Sequence, residues 1–480
     1  MKKALLALMC LVAMMAAGTS LKAQEVTIVL NPGWNWISYP STDTMDIATA
    51  FGSFTPEVGD IFKSKWGMTT YIGNGQWRGS LSPVFYPGYG YHYKSNRTTP
   101  VFLTFNVQQP TPQVVVTTSE PTDITTSSAT CGGNVASSSG DYVFVFLKGI
   151  CWSINPNPTF NDNYIEAGNG LGSFTVSMTE LTPNTTFYVR AFAVTPTGTF
   201  YGEEVDFATP PVGAINSLFS INANGAQVYF SQGNLQYQAS TNTWRFAVNQ
   251  YDFIGSANGN ISSTYSDYID LFGWATSGWN NENTYYHPWD SDNSDGSLYG
   301  PPGQYNLTGS YANADWGIYN PINNGGNIVN QWRTLTKNEW HWVLFNRNTT
   351  SGIRYAKAQV SGVKGLVLLP DDWNSSTYSL NSTNTNNASY SSNVISASQW
   401  GILEQAGAVF LPASGKRDKK SVYYYSGYST SVLGYYWSAT QNNSVGAYYT
   451  FFSDDSVGTA YGYYYDRYFG YSVRLVHNAE

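Results

Sequence analysis

The chain has 480 residues and a formal net charge of −8; 16% of its residues are aromatic and only 11% are charged. The aromatic content excludes a disordered chain, and the polar content excludes a bundle of membrane-spanning helices. The acidic balance argues against nucleic-acid binding, which needs basic clusters to neutralise phosphates. The basic run of Lys416, Arg417, Lys419 and Lys420 is interpreted as a solvated loop. The length is typical of about three domains, and we expect them to be mainly β.

The first 23 residues have the pattern of a secretory signal peptide. Lys2 and Lys3 precede an apolar stretch over 4–17, and Ala23 is a small residue at a suitable cleavage position. No later apolar run is long enough to span a bilayer, so we expect no transmembrane segment. The sequence therefore predicts an exported protein that is extracellular, at the cell surface or periplasmic.

Residues 24–109 are predicted to form a small all-β module. Glycine-rich turns separate short alternating stretches, which predict strands at 26–30, 60–64, 69–72, 76–81 and 89–94. Trp34, Trp36 and Trp77 occupy strand positions, where tryptophan is usually part of the core. The alternative for these three side chains is that they stack on sugars.

A proline-rich linker at 110–112 leads to residues 113–209, which are predicted to form a β-sandwich. The predicted strands lie near 129–135, 142–152, 172–178, 187–194 and 204–207. Cys131 and Cys151 both fall in this segment. In an oxidising compartment they are candidates for a disulfide, and the alternative is two buried thiols.

Residues 216–480, after Pro210 and Pro211, make the largest predicted module. Its first strands are predicted at 218–221, 228–230, 235–238 and 243–246. Thr336 and Glu339 have the spacing of a capping box and predict a helix start. Further helices are predicted over 397–405 and 264–272, which makes the module α+β with few helices.

The stretch 442–469 consists almost entirely of tyrosine, phenylalanine and small or acidic polar residues between two framework strands. Rigid amphipathic tyrosines mixed with adaptable small polar residues are typical of an antibody paratope. We therefore predict a ligand-binding loop over 441–469; the alternative is a polar hairpin that only reflects the chain's composition. The candidate ligand-binding residues are Asn442, Asn443, Tyr448, Tyr449, Phe452, Asp454, Asp455, Tyr461, Tyr463, Tyr464, Tyr465 and Tyr468.

The roles expected for this stretch and for the framework strands on either side of it differ. We expect Trp437 to be core and Arg474 to anchor the final strand through its guanidinium. Tyr449, Asp454, Tyr463 and Tyr464 are expected to be exposed.

Several short motifs carry resemblances to known families. GWNWIS at 33–38 resembles a β-module of secreted bacterial surface proteins, and LTPNTTFYVRA at 181–191 resembles the fibronectin type III signature with its tyrosine corner. WRTLTKNEW at 332–340, YWSAT at 436–440 and GYSVRLV at 470–476 resemble the formylglycine-generating-enzyme-like C-type lectin fold. FSQGNLQY at 230–237 and LLPDDW at 368–373 resemble its non-enzymatic branch, the fibrobacter major paralogous domain. These resemblances imply a non-catalytic, lectin-fold ligand-binding domain over 216–480.

The same resemblance implies a way to vary the ligand. Family members altered by diversity-generating retroelements vary this last strand-and-loop stretch at adenines of asparagine codons. Such changes cannot produce Lys, Glu, Gln, Trp or Met, and none of these residues occurs from 442 to 469. The pattern is compatible with diversification, but the general composition of the chain explains it as well.

Catalysis and metal binding have weaker sequence signals. The formylglycine-generating oxidase requires redox-active cysteines, and residues 216–480 contain none. The carboxylates that remain as candidates for a hydrolase pair are Asp315, Glu339, Asp371, Asp372 and Glu404. Asp290, Asp292 and Asp295 form an oxygen-rich loop that is a candidate structural Ca²⁺ site, with a solvated turn as the alternative. We expect no other cofactor.

The leading hypothesis is therefore an exported surface protein, adhesin-like or lectin-like, that binds a glycan or protein ligand through the loop 441–469. The second hypothesis is a structural or self-associating matrix protein without a specific ligand. A cryptic hydrolase is the third.

Overall fold

The computed structural model describes residues 24–39, 44–81, 84–86, 89–107, 114–138, 143–280, 284–290, 295–301, 305–425, 432–459 and 465–479. The predicted signal peptide and the linker at 110–112 lie outside these ranges. The described chain is multidomain and mainly β, as the composition predicts.

The first module packs three antiparallel sheets around one aromatic core. Its strands are β1 Gln24–Leu30, β2 Gly33–Ser38, β3 Met45–Asp46, β4 Ile61–Ser64, β5 Gly67–Gly73, β6 Gln76–Gly79, β7 Val84–Phe85, β8 Gly90–Ser95 and β9 Val101–Val107, with helix α1 at Ile47–Phe51. The largest sheet has the order β2-β8-β4-β5-β6, and β1 pairs with β9 and β3 with β7. Phe62, Phe85 and Tyr91 pack together at the centre of the core.

Two tryptophans of this module are not core residues. Trp34 and Trp36 are 52% and 78% exposed, so the prediction that they are buried is wrong. The reason is strand alternation: Ile37 of the same strand faces the core, and the two tryptophans lie on the opposite face of the sheet. Trp77 does pack against the core, with its ring beside Tyr71.

The second module is a sandwich of two antiparallel sheets. Its strands are β10 Val114–Thr118, β11 Ala129–Ser137, β12 Leu147–Ser153, β13 Asn163–Gly168, β14 Gly172–Met178, β15 Thr186–Thr195, β16 Gly198–Tyr201 and β17 Val205–Ala208. One sheet has the order β10-β11-β14 and the other the order β13-β12-β15-β16, with β17 also paired to β15. This is a fibronectin type III-like arrangement, in which the chain passes between two sheets that enclose one core.

Two details inside this sandwich bear on the sequence predictions. Cys131 and Cys151 are free, buried thiols, which is the alternative to the candidate disulfide. Cys131 lies in the inter-sheet core, but Cys151 alternates with the core residues Ile150 and Trp152 and therefore points away from it. At the expected tyrosine corner it is Phe187 that enters the core and stacks on Phe207.

The third module contains the remaining strands, in five sheets. They are β18 Phe219–Ser220, β19 Gln227–Phe230, β20 Leu235–Gln238, β21 Thr243–Phe246, β22 Tyr268–Ile269, β23 Arg333–Thr334, β24 Tyr355–Val360, β25 Val363–Leu368, β26 Val394–Ile395, β27 Val409–Pro412, β28 Lys416–Asp418, β29 Ser421–Tyr423, β30 Gly434–Gln441, β31 Gly446–Phe452, β32 Val457–Thr459, β33 Tyr465–Asp466 and β34 Leu475–Asn478. The sheet order β18-β19-β34-β23 joins the two ends of the module, so its first and last strands fold together.

The described helices of this module are short: α2 Trp316–Tyr319, α3 Lys337–His341 and α4 Ala397–Gln405. The capping box of Thr336 and Glu339 forms as predicted and starts α3, which continues as a single π turn over Trp342–Asn346. The helix predicted over 397–405 is confirmed as α4, and Gly407 follows it with φ +85°, a conformation that favours glycine. No helix in the described ranges is long and apolar enough to cross a membrane.

Two predictions in this module are wrong. The helix expected over 264–272 is absent; Tyr268–Ile269 is instead a strand that pairs with β20. The backbone of this segment pairs with strands far along the chain instead of with itself, since Phe272 also exchanges backbone hydrogen bonds with Tyr471. The basic run at 416–420 is the β28–β29 hairpin rather than a solvated loop, and Arg417 in it is fully buried.

Candidate functional site

The β30–β31 hairpin stands between two hydrophobic cores of the third module. Tyr436 belongs to one core and Trp437 to the other, because neighbouring residues of a strand point to opposite faces. The Trp437 indole nitrogen donates a hydrogen bond of 2.7 Å to the Phe272 carbonyl, and the Tyr436 hydroxyl donates one of 2.9 Å to the Pro412 carbonyl. Trp437 is therefore the core residue that the sequence predicts, and the hairpin is rigidly held.

Arg474 anchors the final strands, as predicted. It is fully buried, and its guanidinium donates hydrogen bonds of 2.6 Å to Gln250 Oε1 and 3.4 Å to the Phe410 carbonyl. Burial lowers the pKa of Arg474 to about 10, so the side chain stays cationic at neutral pH.

Two predicted ligand-binding residues are interior. Tyr449 is 4% exposed and packs against Trp437 and Tyr471, so the expectation that it is exposed is wrong. Phe452 is fully buried and stacks on Tyr436. The two side chains point to opposite faces of β31, Tyr449 into the core that contains Trp437 and Phe452 into the core that contains Tyr436, so both support the hairpin instead of contacting a ligand.

The other predicted residues separate into two groups at opposite ends of β31. Asn442 and Asn443 form the turn between β30 and β31, whereas Asp454 and Asp455 form the turn between β31 and β32. Seven residues of strand separate the two turns, which is roughly 20 Å. One small ligand cannot contact both groups.

The Asp454 end lies against another part of the module. Asp454 Oδ1 accepts a 3.5 Å hydrogen bond from the Tyr390 amide, and Asp455 Oδ1 accepts one of 2.6 Å from the Ser453 hydroxyl. The hydrogen bond from Ser453 lowers the pKa of Asp455. These carboxylates therefore take part in local structure at that turn.

The predicted ligand-binding tyrosines differ in burial and position. Tyr448 and Tyr468 are half-buried at the edge of the core. Tyr465 lies in β33 opposite Ala447. Tyr461, Tyr463 and Tyr464 lie outside the described residues, so their predicted role in binding stays a prediction.

The Asn442 end is held in place by a buried cation. The guanidinium of Arg467 donates to Gln441 Oε1 at 3.1 Å and to the Asn443 carbonyl at 2.7 Å. It also donates to the carbonyls of Tyr299 and Pro301 and lies 4.6 Å from the centre of the Trp274 ring. Arg467 thus ties the hairpin turn to the segment that precedes residue 305.

Residues 305–311, which follow that segment, present aromatic and amide groups at the surface. Tyr305 is 52% exposed, and its ring lies 4.8 Å from that of Tyr311. Asn306 Oδ1 accepts a 3.1 Å hydrogen bond from the Gln441 amide, which joins the segment to the end of β30. A cavity of about 290 Å³ is lined here by Tyr305, Asn306, Thr308, Ser310 and Tyr311. We call these five residues together with Asn442, Asn443 and Tyr448 the hairpin-end surface.

A second cavity, of about 230 Å³, continues beside the first and shares Thr308 with it. Thr336, at the start of α3, lines its other side. The next residue, Lys337, places its ammonium 4.1 Å from the centre of the Tyr448 ring, a cation–π contact. The two cavities therefore form one cleft. Tyr305 and Tyr311 line one end of it, and the Lys337–Tyr448 pair lies next to the other end, where α3 begins.

The floor of this cleft includes Asp315. Its carboxylate accepts hydrogen bonds from the Thr334 amide at 2.8 Å and from the Gly317 amide at 3.1 Å, and it caps α2. Burial raises the pKa of Asp315 to about 6.

Sequence reasoning did not identify Tyr305, Asn306 and Tyr311. They lie more than 130 residues before the hairpin turn at Asn442, and only folding brings them to it. The signal that could have found them is composition, because 305–311 has the same mixture of tyrosine, asparagine and serine as the predicted loop.

Four of the carboxylates considered for a hydrolase have structural partners: Asp315, as described above, and Glu339, Asp371 and Glu404. Glu339 closes the capping box and forms a two-point ion pair with Arg333. Asp371 pairs with the buried Arg347 at 2.9 Å. Glu404 Oε1 accepts a 2.9 Å hydrogen bond from Gln250.

The candidate calcium loop is described only in part. Asp292 lies outside the described residues, and Asp295 uses its carboxylate to cap a short helical turn at Ser297. Within the described ranges, no three or more His, Cys, Asp or Glu side chains cluster in a way that could hold a metal ion. Asp290 and Asp295 are therefore not joined there by a third such ligand.

No protein-family model matches the chain, and no curated protein matches it. Among solved structures it is similar to the sensor domain of the anti-sigma factor RsgI4 of Pseudobacteroides cellulosolvens, with 15% identity, a TM-score of 0.17 and coverage of 21% of this chain and 98% of that one. It is similar to a fibronectin type III domain of the human KIAA0970 protein, with 11% identity, a TM-score of 0.15 and coverage of 20% and 72%. The FN1–FN3 domains of chicken CNTN1 are similar at 17% identity, a TM-score of 0.16 and coverage of 32% and 55%. The fold assignment itself rests on the sheets described above.

Proposed function

We propose that the protein is an exported surface protein that binds a glycan or protein ligand at the hairpin-end surface of its third module. The observation that carries this proposal is the cleft in which the exposed Tyr305 and the half-buried Tyr311 lie next to the turn of the β30–β31 hairpin. Amphipathic rings beside amide and hydroxyl groups offer both stacking and hydrogen bonds to a polar ligand.

The rigidity of the frame supports this proposal. Arg467 fixes the hairpin turn, and Trp437 fixes its strands, before any ligand arrives. A ligand then loses less free energy to ordering the protein than it would on a mobile loop. The sequence resemblance to the non-catalytic lectin-fold domain agrees with binding rather than catalysis, and the N-terminal pattern of residues 1–23 agrees with export.

A second part of the proposal concerns diversification of the stretch 442–469. The buried Arg467, Tyr449 and Phe452 lie inside the stretch 442–469, and their replacement would disturb the hairpin. We propose that variation falls on outward positions such as Asn442 and Ser444 and leaves these three residues in place. The DNA next to the coding region decides this point: a near-copy of the 433–476 coding stretch beside a reverse transcriptase is expected, and its absence would refute diversification.

A glycan array probed with the whole protein tests the binding proposal. We expect at least one glycan to bind and the double variant Tyr305→Ala/Tyr311→Ala to lose it. Each tyrosine at the centre of an interface costs about 2 kcal/mol or more when truncated, which is more than a tenfold loss of affinity. Tyr305→Ala alone should keep the wild-type melting temperature, since Tyr305 is half exposed, and circular dichroism should show that the double variant, which also loses the half-buried Tyr311, remains folded.

The matched control is Tyr423→Ala/Tyr425→Ala, which removes two exposed tyrosines from the β28–β29 region of the same module. This control should bind as the wild type does. If the array shows no ligand and light scattering shows particles that grow with concentration and vanish in Tyr305→Ala/Tyr311→Ala, the surface serves self-association and the ligand proposal is wrong. Equal loss in both double variants would also contradict it.

A further inference from the structure

The outer face of the five-stranded sheet in the first module carries an exposed aromatic pair. Trp34 and Trp36 are separated by two positions on β2, so both side chains lie on the same face, about 7 Å apart along the strand. Trp36 contacts the imidazole of His92 on β8, with ring centres 3.8 Å apart, and Trp34 contacts the same ring edge-on at 6.1 Å. The two indoles are therefore oriented by a neighbour while remaining mostly accessible.

Basic side chains continue this face across the sheet. The strand register places Lys94 opposite Trp34, and Lys63 opposite His92. Lys94 also lies opposite Ile61 on β4, and Ile61 lies opposite Thr70 on β5. Thr70 in turn lies opposite the exposed Arg78 on β6, so Arg78 is on the same face. The cations therefore lie beside and beyond the indoles on one continuous surface.

This face has no acidic residue of its own. The five strands β2, β8, β4, β5 and β6 contain no Asp or Glu, in a chain whose net charge is −8. The nearby carboxylates face elsewhere: Asp60 is buried and accepts a hydrogen bond from the Tyr93 hydroxyl, and Glu57 pairs with Arg97 at 3.2 Å. A positive surface on an acidic protein selects a negatively charged partner.

We propose that this face binds an acidic polysaccharide. Pyranose rings lie against the exposed indoles of Trp34 and Trp36, where the C–H groups of a sugar meet the negative face of an aromatic ring. Carboxylates or sulfates of the same chain meet Lys63, Lys94 and Arg78 through charge-assisted hydrogen bonds. A flat, open sheet face suits an extended polymer, and the combination of stacking and cations excludes a neutral glycan as the best partner.

This site is separate from the hairpin-end surface, since it belongs to another module with its own core. It gives the protein two different recognition surfaces. Loss of either one leaves the other unchanged, so each proposal can fail alone.

The test is affinity electrophoresis of the whole protein in native gels that contain heparin, polygalacturonate or alginate, with dextran as the neutral polymer. We expect retardation by at least one acidic polymer and none by dextran. Trp34→Ala/Trp36→Ala should weaken that binding about tenfold or more. Lys63→Ala/Lys94→Ala should weaken it too, and most strongly at low salt. Raising the salt from about 0.1 M to about 1 M shortens the Debye length from about 10 Å to about 3 Å and should release the wild type.

Two controls match these changes. Phe102→Ala removes an aromatic ring that is 68% exposed on β9, outside this face. Lys419→Ala/Lys420→Ala removes two exposed cations from the third module and makes the same change in net charge. Both should migrate as the wild type does, and all variants should keep the wild-type circular dichroism spectrum and melting temperature because the altered side chains are at the surface.

The proposal is wrong if none of the acidic polymers retards the wild type, or if the tryptophan and control variants bind equally. Since β2 is an edge strand, pairing between two copies of the chain is the competing use of this face. Size-exclusion chromatography that shows a dimer, lost in Trp34→Ala/Trp36→Ala, together with no polymer binding would establish that use and overturn the polysaccharide site.

Discussion

Four arginines of the third module, Arg347, Arg417, Arg467 and Arg474, have no exposed surface. Burial lowers the pKa of each to about 10, which still leaves them charged at neutral pH. Arg347 pairs with Asp371, whereas Arg467 and Arg474 donate to neutral carbonyl and amide oxygens from distant segments. A planar guanidinium with several donors can join segments in this way, and lysine cannot.

Trp437 is a second single residue on which the structure depends, since it supports the β30–β31 hairpin. We expect Trp437→Ala to lower the free energy of unfolding of the third module by about 3–5 kcal/mol, because it leaves a large cavity and removes the hydrogen bond to the Phe272 carbonyl. Chemical denaturation followed by circular dichroism measures this loss.

Tyr319→Ala is the comparison, since Tyr319 is 36% exposed and its loss should cost less than about 0.5 kcal/mol. Equal stability of Trp437→Ala and the wild type would show that the hairpin is not supported by this core.

Among the elements, helix α4 has the clearest local start. The Ser396 hydroxyl accepts a 3.2 Å hydrogen bond from the Gln399 amide, and the Gln399 side chain accepts one of 2.9 Å from the Ser396 amide. The helix presents Trp400 and Leu403 to the core formed with β24, β25 and β27. Both the cap and the buried stripe are local in sequence, which is why this helix was predicted correctly.

We expect Ser396→Ala to destabilise the third module by about 1 kcal/mol, because it leaves an amide of the first turn without its acceptor. Ser396→Gly, which suits the cap backbone better than alanine does, should cost only a few tenths of a kcal/mol. The midpoint of urea denaturation measures both. A larger loss for glycine than for alanine would contradict a capping role.

Over the whole molecule, each module has its own hydrophobic core. One core contains residues from 28 to 105, the next contains residues from 114 to 207, and three adjacent cores contain residues from 214 to 476. The two thiols lie in the second of these modules. Burial raises the pKa of Cys131 to about 11 and that of Cys151 to about 12, so both remain neutral thiols at neutral pH.

Reduction should therefore leave the thermal unfolding of the whole protein unchanged, and intact mass should equal that of the dithiol. A disulfide would have added about 2–4 kcal/mol to the second module and lost it on reduction. Calorimetry with and without dithiothreitol measures the difference. A module that melts at lower temperature only when reduced would show that the cysteines pair.

The sequence by itself determined the mainly β, multidomain class and the elements whose signals are local. The capping box at Thr336, the helix at 397–405 and the strands at 235–238 and 243–246 all follow from residues within a few positions of one another. It also placed Trp437 in the core and Arg474 as an anchor, because their neighbours alternate as framework strands.

Only the tertiary structure decided which face of each strand meets the core and which distant segments meet at a surface. Alternation shows that two sets of side chains point apart, but it does not say which set is inside, and Trp36 is exposed, contrary to expectation. Tyr449 is buried, contrary to expectation, because β31 lies between two cores that cover both of its faces. The strand at Tyr268–Ile269 depends on partners far along the chain. Tyr305 lies beside the hairpin because its neighbour Asn306 accepts a hydrogen bond from the backbone amide of Gln441. That contact spans 135 residues of sequence, and no local pattern encodes it.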